Sequence, residues 1–128
     1  MFDDFIGIPF KDRGANLREC DCFGLVRLFY KDILKIEIPD PLVTIFTSNG
    51  ITDKYLEETA KNWDTVNELK KFDVIAMAND LNMPEVVQHF GIYMGDGKML
   101  HTEVKTGSII SDVDLYKYFI KGYHRWRS

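Results

Sequence analysis

Two cysteines flank one aspartate in ECDCFGLVR, residues 19–27, and two of the chain's three histidines, His89 and His101, stand twelve positions apart around a Gly-Asp-Gly step. Three chemistries use such side chains: a metal clip, a redox pair, and a thiolate nucleophile served by an imidazole. Cys20 and Cys22 are separated by a single residue, so a disulfide between them closes a tiny loop and restrains little of the unfolded chain. A zinc site built from Cys20, Cys22, His89 and His101 meets a spacing problem. Structural zinc pairs its cysteines across two to four intervening residues, and Cys22 would have to turn off its helix face. The sequence therefore predicts no metal and no cofactor.

Cys22 opens a segment whose apolar residues Cys22, Leu25, Val26, Phe29 and Ile33 recur at helical spacing over residues 22–34, with Arg27, Lys31 and Asp32 off that face. Asp21 is placed to cap this helix. An inert thiol on the apolar face fits the position. So does a reactive one, because first-turn amides and the positive end of the helix dipole favour thiolate. Cys20, outside the cap and in a loop by this reading, has no such support.

His89 and His101 fall on two β-type runs, VVQHFGIYMG and KMLHTEV, joined by the Gly-Asp-Gly step. Side chains alternate along a strand, so the turn decides whether the imidazoles meet. A two-residue loop pairs Gly95 with Lys98 and sends His101 to the face opposite His89. A three-residue loop, with Gly97 left-handed, puts His101 across from Gly91, Glu103 across from His89, and both histidines on one face. A catalytic reading thus predicts the longer loop. Cys22 would then be the nucleophile, His89 its base and His101 the orienting partner, with Glu103 in reserve. His124, in GYHRW, is read as a surface residue.

The positioning elements follow from the punctuation. IPDP at 38–41 stops the first helix, and a second is expected from Thr52 to about Asn62, capped by Thr52 or Asp53. After residue 70 the pattern turns to strands: FDVIAMA, the histidine hairpin, GSIISDV and, after a short helical stretch DVDLYKYF, IKGYHRW. Helices first and a meander afterwards predict one α+β domain over residues 1–128, with the first helix packed on an antiparallel sheet of about five strands. The net charge of -4 and pI near 5.3 speak against nucleic acid as a partner. No apolar run reaches a membrane-spanning length. MFDDFIGIPF has acids where a secretory signal carries bases, so the expectation is a protein made without such a signal.

Taken together, these segments resemble the NlpC/P60 family of papain-like cell-wall cysteine peptidases. IGIPF and Gly14 match the family's opening, DCFGLVRLFY its nucleophile helix, KFDVIAM its first core strand, HFGIYMGDGKMLHTE its two-histidine hairpin and YHRW its last strand. The resemblance implies that Cys22, His89 and His101 are catalytic. It also implies a peptidoglycan stem peptide as substrate, cut between γ-D-glutamate and the following diamino acid. The family's acid beside the nucleophile is matched by Asp21, which would meet a substrate amine unless it serves only as a cap. Phe10 stands where the family often has a substrate-facing tyrosine, and Phe23 where it often has serine, so both bear on substrate binding. The CDCFGLVR form resembles the phage-tail and gene-transfer-particle branch, implying a virion location, other tail proteins as partners, and wall opening during DNA entry. A non-catalytic tail component and an antibacterial amidase effector share the same features, as does acyl transfer to an acceptor other than water.

Overall fold

The computed structural model describes residues 2–42 and 50–127. A short 3-10 turn, Asp3–Phe5, precedes a small hairpin of β1 (Ala15–Asn16) and β2 (Glu19–Cys20), which delivers the chain to α1 (Cys22–Phe29). Asp21 sits in extended backbone and accepts a hydrogen bond from the Gly24 amide at 2.7 Å on one carboxylate oxygen, so the predicted cap forms. Cys22, Leu25, Val26 and Phe29 are buried as their spacing requires. The helix is shorter than expected: from Tyr30 to Leu34 it widens into a π turn, and Lys35 leaves it in the left-handed conformation.

The second helix, α2 (Gly50–Lys61), begins two residues before the expected start. Neither Thr52 nor Asp53 can be its cap, and the residue ahead of Gly50 lies outside the described residues. The Thr52 hydroxyl instead donates to the Val87 carbonyl at 3.2 Å and accepts from the Val87 amide at 3.0 Å, tying α2 to the sheet.

That sheet has six antiparallel strands rather than about five. They are β3 (Trp63–Val66), β4 (Val74–Ala78), β5 (Val87–Gly95), β6 (Lys98–Glu103), β7 (Gly107–Asp112) and β8 (Ile120–Trp126), in the spatial order β3-β8-β4-β5-β6-β7. The strand missed in the sequence is β3, four residues with only Trp63 buried, too short to show a period and recognisable through its pairing with β8. All five residues of β4 are buried because the sheet is covered on both faces. On one side Val74, Ala76, Phe90, Ile92 and Leu100 pack with α1 around Phe29, whose ring lies 5.2 Å from Phe5 and 5.3 Å from Phe72. On the other, Ile75, Met77 and Met99 form a smaller cluster with Tyr93, Val113, Tyr116 and Phe119. At the base of the sheet, Arg125 of β8 makes a two-pronged pair with the buried Asp73 at 2.9 and 2.7 Å, and Asp73 also accepts the Lys70 amide at 2.7 Å. None of the described helices is long and apolar enough to cross a membrane.

Candidate active site

The histidines share a face, but by a different device from the one expected. The β5–β6 connection is a two-residue turn, Asp96-Gly97, with both residues at positive φ and Gly95 paired to Lys98. Parity is restored one step later, where Met94 is left over as a bulge, so Tyr93 pairs with Met99 and Gly91 with His101. The predicted three-residue loop is thus wrong and the register it was invoked to produce is right. One extra residue shifts the pairing equally well in the loop or in the strand.

His89 Nε2 lies 2.9 Å from His101 Nδ1, with the rings nearly perpendicular. His101 Nε2 lies 2.7 Å from the hydroxyl of Ser111, its diagonal neighbour on β7. Ser111 also faces the hydroxyl of Tyr116, which donates to Glu103 Oε1 at 3.3 Å. Sequence reasoning missed Ser111 and Tyr116. Ser111 could be found only once the β6–β7 register was known, and Tyr116 only once the 3-10 turn Val113–Tyr116 was folded over the pair. A carboxylate only accepts, so one arrangement of protons satisfies the whole chain of contacts. Tyr116 donates to Glu103, Ser111 to Tyr116, His101 through Nε2 to Ser111, and His89 through Nε2 to His101. The lone pair of His89 is then left on Nδ1.

Burial holds both imidazoles well below their ordinary range, and for His89 the neighbouring His101 adds to the effect. His124 is lowered by burial too. It is not the surface residue expected. It is buried in the sheet, with Nε2 2.7 Å from the Tyr55 hydroxyl and Nδ1 3.2 Å from that of Thr65. Alternation along GYHRW could not reveal this, because both partners come from segments more than fifty residues away.

With three histidines kept neutral, acid must weaken the fold. The unfolded chain takes up protons at imidazole near pH 6.5, whereas the folded chain resists until well below that. Stability is therefore full above about pH 6.5 and is lost as pH falls towards the folded values, by up to about 1.4 kcal/mol per pH unit for each histidine. Asp21, whose carboxyl is raised by burial, works in the opposite direction. The urea midpoint is expected to drop steeply between pH 7 and pH 5; a flat midpoint would contradict the burial of these rings.

The nucleophile candidate enters from the other layer. Cys22 is buried at the start of α1, and its thiol donates to the Gln88 carbonyl at 3.3 Å, one residue before His89. Two irregularities open this end of β5. Gln88 is bulged out of the ladder with β4, between the pairs Met77–His89 and Ala78–Val87, and the ladder with β6 stops at Gly91–His101 although both strands run on. Bulges of this kind re-aim side chains and free main-chain groups beside functional sites. Burial, then the charge of Asp21, push the Cys22 thiol strongly up, while the amides of Phe90, Phe23 and Cys22 itself pull it back. Burial thus works against charge on both the thiol and the imidazoles.

Of the remaining predicted residues, Asp21 has both oxygens engaged, since the second accepts the Arg13 amide at 2.7 Å. It lines a small cleft with Phe23, Arg27 and Asp40. Phe23 packs edge-on to Phe90 at 5.2 Å and also walls a neighbouring cavity of about 150 Å³ with Tyr55, Trp63 and His124. Phe10 is bridged through its main chain to Cys20, two residues ahead of the nucleophile. Cys20 is not a loop residue; it is wholly buried in β2, and burial raises its thiol to about 12. Both cysteines are free, so the structure holds no link between them.

A helix packed on a six-stranded antiparallel sheet defines an α+β domain. The NlpC/P60 family model matches residues 7–128, and the chain belongs to that family. It is 21% identical over 127 residues to a probable endopeptidase NlpC homolog of Haemophilus influenzae, covering 99% of this chain and 58% of that protein. The chain thus spans well under two thirds of this relative's length. Among solved structures it resembles NlpC2 of Trichomonas vaginalis, with a TM-score of 0.74 and 19% identity over 98% of this chain and 44% of that one. It also resembles the NlpC/p60 domain of the peptidoglycan hydrolase SagA, with a TM-score of 0.67 and 19% identity over 96% and 91% of the respective chains.

Proposed function

We propose that the protein is a cysteine peptidase that cleaves peptidoglycan stem peptides between γ-D-glutamate and the following diamino acid. The observation that carries this reading is the directed contact chain from Glu103 to His89, which leaves a lone pair on a histidine adjacent to the residue that holds the Cys22 thiol. Cys22 gives its proton to Nδ1 of His89 as sulfur attacks the carbonyl carbon. The amide of Cys22 helps to hold the resulting oxyanion. His89 then protonates the leaving amine, and a water that it deprotonates splits the thioester. His101 fixes the orientation of the base throughout.

Phe23 and Asp21 flank Cys22 in the chain and line a small cleft together, and are assigned to substrate contact, with Phe23 giving that cleft an apolar wall. For Asp21 the substrate role is secondary to capping, since both its oxygens already accept amides. Phe10, lacking a hydroxyl, adds only an apolar surface. The placement at a phage tail tip, with other tail proteins as partners, rests on the CDCFGLVR form alone.

The test is hydrolysis of tetrapeptide stems carrying diaminopimelate or lysine, and of intact sacculi, by reduced protein and by Cys22→Ala, read by mass spectrometry. Cleavage after D-glutamate is expected from the unsubstituted protein, with Cys22→Ala at background. Absence of cleavage in stems and sacculi alike would overturn the assignment in favour of a non-catalytic tail component with this fold.

A further inference from the structure

We propose that His89, His101 and Glu103 form a binding site for a divalent transition metal of the zinc type, and that the bound ion switches the peptidase off. The three donor atoms already surround one point: His89 Nε2 and His101 Nδ1 are 2.9 Å apart, and Glu103 Oε1 lies 3.8 Å from the first and 3.6 Å from the second. Donors bonded at 2.0–2.1 Å to a tetrahedral ion stand about 3.3–3.4 Å from one another. The observed triangle straddles that value, so opening the histidine pair by about half an ångström and drawing in Glu103 completes three ligands of a four-coordinate ion. Glu103 is the more exposed ligand, with its side chain 41% exposed and held by the Tyr116 hydroxyl, while His101 is fully buried.

The groups behind the ligands suit a metal as well. His101 can bind through Nδ1 only if Nε2 keeps its proton, and the Ser111 hydroxyl at 2.7 Å is there to accept it. The Tyr116 hydroxyl orients the carboxylate of Glu103. Two imidazoles and one carboxylate favour zinc and its neighbours over magnesium or calcium, which take oxygen ligands. This ligand set differs from the cysteine-containing one weighed in the sequence, in which Cys20 and Cys22 would have to leave the buried positions they occupy.

The consequence for catalysis follows from proton bookkeeping within one ring. The active tautomer of His89 carries hydrogen on Nε2 and a lone pair on Nδ1. An ion on Nε2 requires that hydrogen to move to Nδ1, and the ring can no longer accept the Cys22 proton. This half of the inference rests on the peptidase assignment; the binding half does not.

Binding is tested by titrating Zn2+ into the metal-free, 15N-labelled protein in competition with a chromogenic chelator, while imidazole 15N shifts are followed. The chain has three histidines, so His124 is an internal control. One equivalent of Zn2+ is expected to move His89 and His101 but not His124, with Mg2+ moving none. Glu103→Gln and Ser111→Ala are each expected to weaken binding by about tenfold to a hundredfold. A Cys20→Ser/Cys22→Ala double variant is expected to bind undiminished. Shifts confined to His124, binding lost with the thiols, or full affinity in Glu103→Gln would overturn the site. For inhibition, stem hydrolysis is expected to cease at one equivalent of Zn2+ and to return with chelator. Unchanged hydrolysis by the metal-loaded protein would overturn the switch alone. A protein that binds Zn2+ yet never hydrolyses stems would refute the peptidase assignment and leave the metal site standing.

Discussion

His101→Ala is expected to lower kcat for stem-peptide hydrolysis by about 10³- to 10⁴-fold, the size of effect that follows when a catalytic histidine loses the group that sets its tautomer. The reason lies in the direction of the contact chain. With His101 gone, the Nε2 hydrogen of His89 loses its acceptor at 2.9 Å, and Glu103 Oε1, at 3.8 Å, is beyond hydrogen-bond reach unless it moves. The ring is then free to carry its hydrogen on Nδ1, where the lone pair must be. KM should change little, because His101 is fully buried and presents no surface to a substrate. His101→Asn should retain more activity than His101→Ala, since its side-chain oxygen can take the place of Nδ1 as acceptor. Steady-state kinetics on all three proteins, with folding checked by near-UV circular dichroism, decide the matter. Equal kcat in a folded alanine variant would show that His89 is oriented without its neighbour.

Gly24→Ala should have the largest effect on stability, with the opposite sign to the usual one. Alanine in place of a helical glycine normally gains about 1 kcal/mol. Here the added methyl would sit 1.7 Å from the Gly14 carbonyl oxygen and 3.0 Å from a carboxylate oxygen of Asp21. The first of these is backbone, which cannot swing aside. That same carbonyl accepts the Asp21 amide at 3.0 Å, so displacing it disturbs the cap that seats Cys22. A loss of more than about 3 kcal/mol is expected, or a fall in Tm of about 10 °C or more. Gly7→Ala makes the useful contrast. Nothing lies within 4 Å of its added carbon, and only the positive φ of +85° is strained, so about 1 kcal/mol should be lost. Comparable losses in the two variants would mean that close approach is not what Gly24 serves.

Near-neighbour physics in the sequence was enough for several elements. Asp21 as a cap depends on atoms within three residues, and it forms. The apolar stripe from Cys22 to Phe29 reports one buried helix face, and that face is buried. Errors gathered where distant chain decides. β3 is held by β8, some sixty residues away, and carries no period of its own in four residues. The start of α2 was misplaced because Thr52, a good cap by type, is engaged by Val87 instead. His124 was taken for a surface group because Tyr55 and Thr65, which satisfy both its nitrogens, come from α2 and β3.

For the candidate site, the sequence determined the helix that begins at Cys22 and the two strands that bear His89 and His101. Residue type and spacing fix which side chains share an element and which face each occupies once a register is assumed. The tertiary structure decided the register, through a bulge at Met94 that no turn rule locates, and it decided the partners, by bringing Ser111, Tyr116 and Glu103 around His101. It also decided how the thiol is held, because the Gln88 carbonyl meets Cys22 where β5 slips one residue against β4. The physical reason is the same in each case: a strand slipped by one residue keeps nearly all its local energy but turns every side chain over, so only packing against the rest of the molecule selects the answer.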